Sequence, residues 1–177
     1  MEKTSIAALV VSLTICLISF LLSLSHAKHG LLDVIGKVYC DTCRVEFETK
    51  LSEPINEAKV HLECKNRTDE RIVYSKDAVS DKLGMYSIPV EGDHEDELCE
   101  VSLIESPRNN CNEMMESWRK ARVMLTRRDG VTDLTRQTNN LGFKIKPEDV
   151  DTKACVKVLE EMGFVVDGKT GIVEIPS

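Results

Sequence analysis

Six of the seven cysteines, at positions 40, 43, 64, 99, 111 and 155, constrain this chain more than any other feature, because they lie beyond the first 27 residues, their number is even and their setting is oxidising. The setting is read from the first 27 residues. They open with Lys3, run apolar and almost uncharged from Ile6 to Leu24, and finish on Ser25-His26-Ala27, with small residues where a signal peptidase cuts. Residues 1–27 are therefore expected to be a secretory signal peptide, and 28–177 a single secreted domain. A membrane anchor is the competing reading of so long an apolar run, but only one basic residue precedes it and a cleavage point ends it. Cys16 leaves with the signal, and nothing after it is apolar enough to insert into a membrane. Secretion also makes Asn66-Arg67-Thr68 usable for N-glycosylation at Asn66.

The remainder reads as strands. Val60, Leu62 and Cys64 alternate with Lys59, His61 and Glu63, the period of a half-buried strand. Similar short runs recur at 34–47, 72–75, 85–90, 99–104, 121–126 and 141–145, separated by Gly, Pro, Asn and Asp clusters. Few of the gaps could hold a crossover helix, so the expected fold is all-β, an antiparallel sandwich or barrel of about seven strands. Two stretches depart from it. Residues 112–120 hold strong helix formers behind Asn112 and suggest a short helix or structured loop. Asp149 or Asp151 could cap a C-terminal helix that places Cys155, Val158, Leu159 and Met162 on one face, with Gly163 as its stop. Val165-Val166 and 172–175 then flank a turn and suggest a closing hairpin.

Cys40-Asp41-Thr42-Cys43 has the spacing of a redox pair or half a zinc site. It lies in a run that reads as extended, where three strand steps separate the Cα atoms by roughly 10 Å, beyond the reach of a disulfide. Each of the two should therefore find a distant partner. Cys64 shares a face with Val60 and Leu62, and Cys99 with Val101 and Leu103, so a Cys64–Cys99 bridge between inward-facing positions is expected. The other four are left open by this argument.

No catalytic constellation emerges. Beyond the signal only His29, His61 and His94 remain, His61 on the polar face of its strand, and there is no nucleophile elbow, zincin motif, P-loop or dinucleotide fingerprint. No cofactor or metal is expected. With 23 Lys and Arg against 30 Asp and Glu, a net charge of −7 and 5 % aromatic residues, the chain is ill suited to nucleic acid. Its one concentrated charge is 91–97, where Glu91, Asp93, Glu95, Asp96 and Glu97 surround His94. The spacing is not that of a calcium loop, so the segment is expected to be a solvated connection or an interaction loop for a basic partner.

Gly36-Lys37-Val38-Tyr39-Cys40-Asp41-Thr42-Cys43-Arg44 resembles the signature of the pollen Ole e I family of secreted plant proteins. The resemblance runs through Ala58-Lys59-Val60-His61-Leu62-Glu63-Cys64, Val90-Glu91-Gly92-Asp93-His94-Glu95, Cys99-Glu100-Val101, Ser106-Pro107-Arg108 with Cys111, and Leu141-Gly142-Phe143, covering about 34–162. Ile35 and Asn139-Asn140 depart from the family pattern without removing a cysteine. The resemblance implies the disulfides Cys40–Cys111, Cys43–Cys155 and Cys64–Cys99. It also implies a non-enzymatic extracellular protein of pollen or the pollen tube, allergen-like, that binds a receptor-kinase ectodomain or a cell-wall component. A wall polysaccharide-binding protein and, from the enzyme class, a thiol oxidoreductase using Cys40 and Cys43 are the alternatives. Ser80 to Ile88 further resembles the Asp-x-x-Gly-x-Tyr turn of transthyretin-like sandwiches.

Overall fold

Alternation of apolar and polar residues builds two facing sheets. The computed structural model describes residues 31–165; the signal peptide and, beyond Val165, the expected closing hairpin lie outside them. Ten strands occur among the described residues: β1 (Leu32–Asp41), β2 (Glu53–Pro54), β3 (Lys59–Asn66), β4 (Ile72–Val79), β5 (Met85–Val90), β6 (Glu97–Glu105), β7 (Cys111–Met114), β8 (Lys120–Val123), β9 (Thr135–Gln137) and β10 (Leu141–Ile145). One sheet has the order β4-β3-β6-β8 and is antiparallel throughout. Val60, Leu62, Val101 and Ala121 point from it into the core, while Lys59, His61 and Glu63 stay on the outer face.

β1 organises the second sheet. Its first half pairs antiparallel with β5, Leu32 opposite Val90, and parallel with β9. Its second half pairs antiparallel with β2 and parallel with β10, Val38 opposite Leu141, and β10 passes the sheet on to β7. The two parallel pairs correct the expectation of a purely antiparallel fold. Short gaps forbid a crossover only between neighbouring runs, whereas β1 meets strands that follow about a hundred residues later and need no dedicated crossover helix. The three strands beyond the expected seven are short pieces, β2, β7 and β9, that complete β1 and β10.

Three further boundaries differ from the sequence reading. The extended run 34–47 stops at Asp41, and the residues after it form a folded-back loop. Of the two forms expected at 112–120 the helix does not occur; a structured loop follows the strand residues 112–114. Cys111 is held to Cys40, Met114 pairs with Phe143, and the chain then turns with Met115 fully buried, so tertiary contacts override helix propensity. β4 extends to Val79 because it follows β3 in register from His61–Asp77 to Lys59–Val79.

The helix α1 (Thr152–Glu161) begins where Asp151 accepts a hydrogen bond from the Ala154 amide at 3.1 Å. It ends at Gly163, whose φ of +89° suits the left-handed stop. Its buried Cys155, Val158 and Leu159 pack with Cys43 and Val45 into a small second core, flanked by Phe47, Leu51 and Phe164, and Phe47 stacks on Phe164 at 5.2 Å.

The turn between β4 and β5 depends on Gly84. Asp81 accepts from the Leu83 and Met85 amides at 2.8 and 2.9 Å, and this arrangement sets Gly84 at a φ of +76°. A Cβ there would run into the Val38 carbonyl and lie 3.1 Å from Pro54. Gly84→Ala is expected to destabilise the domain by about 2 kcal/mol, from left-handed strain and this collision. Urea unfolding should show a lower midpoint at unchanged slope.

Candidate functional site

All six described cysteines are bonded. Cys40 joins Cys111 with Cα atoms 6.1 Å apart, Cys43 joins Cys155 at 5.5 Å, and Cys64 joins Cys99 at 4.0 Å, directly across the β3–β6 ladder. Cys40, Cys64, Cys99 and Cys111 belong to the main core and Cys43 and Cys155 to the small one. Cys40 and Cys43 are not bonded to each other, so the structure offers the Cys-x-x-Cys segment no redox couple of its own. Among the described residues no three of the metal-binding side chains converge.

The segment is a clamp instead. Asp41, fully buried, accepts the Cys43 amide at 3.1 Å on one carboxylate oxygen and the Glu46 amide at 2.7 Å on the other. Arg44 and Glu46 stand at φ +56° and +62°, so the carboxylate holds a loop that ordinary residues resist. Burial raises the Asp41 pKa above the ordinary carboxylate value, and the amides of Glu46, Cys43, Arg44 and Val45 oppose that rise.

Arg44 reaches out of the loop to Glu113 of β7 at 2.8 Å and to the Ile145 carbonyl, and Lys144 meets the same carboxylate at 3.0 Å. Hydrogen bonds from Arg44, then Lys144, hold Glu113 down to a pKa of about 2. A depressed carboxylate pKa gives stability that is present above the unfolded value and lost as pH falls through the folded one. Glu113→Gln should therefore cost stability at neutral pH, about 1 kcal/mol or less for so exposed a pair, and the difference from wild type should vanish between about pH 4.5 and 2. Acid titration of the unfolding midpoint measures this.

Asn66 ends β3, half-buried, and its side-chain oxygen accepts the Thr68 amide at 2.8 Å. The Arg67–Thr68–Asp69–Glu70 turn after it is exposed. The acidic residues sit between β5 and the start of β6, and part of their charge is used within the chain. Glu95 pairs with Arg128 at 3.0 Å, Glu97 faces His94 at 3.7 Å, and the His94 amide donates to the Leu125 carbonyl at 2.8 Å. Glu91, Asp93 and Asp96 stay exposed. The loop thus lies along the continuation of β8 and walls an open cavity of about 420 Å³ with Arg67, Leu98, Arg122, Met124 and Arg128. On the outer face of the same sheet His61 meets Asp77 at 2.5 Å.

Sequence reasoning missed two groups. Asp41 reads as one more polar residue of an alternating run. Arg136, 7 % exposed, gathers residues 126–133 by donating to the Thr126 carbonyl at 2.7 Å and to Asp129 at 3.2 Å, and nothing in its local pattern marks it as buried.

The comparisons agree with this architecture. The family model described as pollen protein Ole e 1 like matches residues 31–163. The anther-specific protein LAT52 of Solanum lycopersicum is 41 % identical over 157 residues, 89 % of this chain and 95 % of that protein. The Olee1-like protein of Betula pendula is 45 % identical over 138 residues, 76 % and 81 % of the two chains. The crystal structure of the major plantain pollen allergen Pla l 1 superposes with a TM-score of 0.58 at 33 % identity, over 65 % of this chain and 94 % of that one. Of these relatives one is named as an anther-specific protein, one as an Olee1-like protein and one as a pollen allergen, and none as an enzyme. A sandwich built around the Cys40–Asp41–Thr42–Cys43 clamp, matched along nearly all of its described length, belongs to the pollen Ole e 1-like protein family.

Proposed function

We propose that the protein is secreted after cleavage following Ala27 and acts without catalysis, by binding an extracellular protein such as a receptor-kinase ectodomain during pollen hydration or pollen tube growth. The observation that carries this reading is the consumption of reactive groups by structure. Every described cysteine is in a bridge, and the buried Asp41 and Arg136 hold loops. The outer face of the four-stranded sheet then presents charged side chains, Lys59, Glu105, Lys120 and Arg122 among them, beside exposed Ile72, Val79 and Ile104. The anther-specific name of one relative and the pollen-allergen name of another support placing that role in pollen.

A cell-wall polysaccharide is the second reading. Sugar rings are commonly held on aromatic faces, and the described aromatic side chains that reach the surface are each partly covered, among them Phe47 and Phe164 by one another and Tyr74 by His94, which favours the protein partner. The test is surface-immobilised mature protein presented with pollen-tube receptor-kinase ectodomains and with wall polysaccharide extracts. Saturable binding to an ectodomain at micromolar concentration or below is expected. Binding to neither class overturns the reading, and binding to polysaccharide alone moves it to the wall. Non-reducing peptide mapping of the secreted protein reports the mature N-terminus, the three bridges and Asn66 glycosylation in one experiment.

A further inference from the structure

The two ends of the four-stranded sheet differ. At one end β4 is tied to β5, since Lys76 donates to the Pro89 carbonyl at 2.7 Å and Tyr74 donates to it at 3.4 Å. At the other, β8 pairs with β6 alone among the described residues. The Leu103 amide donates to the Arg119 carbonyl at 2.9 Å, which sets the phase of that ladder. Arg119, Ala121 and Val123 exchange bonds with β6, so the N–H and C=O groups of Lys120 and Arg122 point to the open side. Both side chains lie on the outer face, 49 % and 74 % exposed, and share one carboxylate, Glu100, at 3.5 and 3.4 Å. Positive charge is concentrated on this strand, in a chain that is acidic overall: residues 119–128 contain five cations and no acid, and of these Arg119 faces Glu116, Arg128 faces Glu95, and Lys120 and Arg122 have only Glu100 between them. Past Val123 the same edge runs into the cavity described above, where Leu98 and Met124 present exposed apolar surface and Arg128 and Arg67 stand at the rim.

We propose that the open edge of β8 takes up an extended acidic peptide segment of a partner protein as an added antiparallel strand. This deepens the protein-binding reading above and rests on it. Main-chain bonds to Lys120 and Arg122 supply the attachment, and alternate side chains supply the selection. Residues facing each other in such a ladder project to the same side. The positions opposite Arg122 and Lys120 therefore take Glu or Asp, and the position opposite Met124 takes an apolar residue. In the antiparallel sense the partner reads apolar-x-acidic-x-acidic. A second copy of this chain does not fit, because pairing β8 with itself brings Arg119, Lys120 and Arg122 against their own copies. Charged edges also keep sheets apart. That role explains the lysine and arginines, but not the apolar cavity in line with them.

The test uses the full mature, disulfide-bonded protein and fluorescence anisotropy of a labelled peptide, Thr-Leu-Thr-Glu-Thr-Glu-Thr, at low salt. Binding at about 10–100 μM is expected, with none for the peptide carrying Lys in place of Glu. Lys120→Glu with Arg122→Glu should abolish it. Arg122→Ala and Arg122→Pro remove the same charge, but only proline removes the outward N–H, and it does so without touching the β6 ladder. Arg122→Pro should weaken binding about 3–10-fold more than Arg122→Ala. Circular dichroism and non-reducing mobility report that each variant is folded.

Equal effects of the two Arg122 variants overturn edge pairing. So does binding of the Lys peptide, and so does binding of polygalacturonate with no binding of the Glu peptide, which points to an anionic glycan. If an ectodomain binds wild type and Arg122→Pro equally, this surface is wrong while the binding function stands; if no ectodomain binds wild type, the broader reading falls by itself.

Discussion

Replacing Cys40 and Cys111 together by alanine is expected to lower the unfolding free energy by about 5 kcal/mol, the largest effect of removing any one bridge. Loop entropy alone does not single this pair out. The three bridges span 71, 112 and 35 residues, for which chain closure gives about 4, 5 and 4 kcal/mol, with Cys43–Cys155 the highest. Burial reverses the order. Cys40 and Cys111 are fully buried where β1, β10 and β7 meet, so their removal also leaves a void worth about 1 kcal/mol in the main core. Cys43 and Cys155 hold α1 on its own small core, and without them the helix can open while both sheets persist. The Cys43→Ala, Cys155→Ala variant should accordingly show faster amide exchange in 152–161 and a smaller fall in the denaturant midpoint. A larger fall for this pair than for Cys40–Cys111 would mean that loop entropy, and not packing, ranks the bridges.

The sandwich is legible in the sequence where one face of a strand is buried and the other wet. Val60, Leu62 and Cys64 on β3, Cys99, Val101 and Leu103 on β6, and Tyr86, Ile88 and Val90 on β5 carry the period of two, and all are buried. The pattern fails where a strand is covered on both faces. From Val38 to Asp41 every residue of β1 is buried, because β10 and β2 flank it and the returning 42–51 loop and Met115 lie over its outer side. Alternation assigns Tyr39 and Asp41 to solvent for that reason. The acidic loop shows the same limit in another form. Its charges can be counted along the chain, but Arg128, which takes up Glu95, lies 33 residues away and is brought there by the β6–β8 ladder. The basic edge needs both scales: the cations of 119–128 are visible in the sequence, and only the sheet order shows that their strand has no second neighbour among the described residues.

Asp41→Ala is expected to destabilise the domain by about 3 kcal/mol, and the reason decides what the Cys-x-x-Cys segment is for. Two effects oppose each other. Removing a buried carboxylate relieves a desolvation cost, which is what raises its pKa. It also strands the amides of Cys43 and Glu46, each worth about 1–3 kcal/mol when left without an acceptor, while the two left-handed residues, Arg44 and Glu46, release part of their strain as the loop relaxes. The second effect is larger, since two stranded donors outweigh both the strain released and the relief of one charge already solvated by amides. Asp41→Asn separates them. It keeps one acceptor oxygen, turns an NH2 toward the other amide and removes the charge, so it should fall between wild type and alanine. Acidification supplies the sign. A raised folded pKa means that the native state binds the proton more readily than the unfolded chain. The Asp41 contribution therefore increases as pH falls from the folded pKa toward the unfolded value near 4, opposite to that of Glu113. Wild type should gain on Asp41→Asn over that window in urea unfolding followed by circular dichroism. An alanine variant as stable as wild type, with Cys43 still bridged to Cys155, would show that the loop is held by Arg44 and the disulfide and that the buried carboxylate contributes nothing.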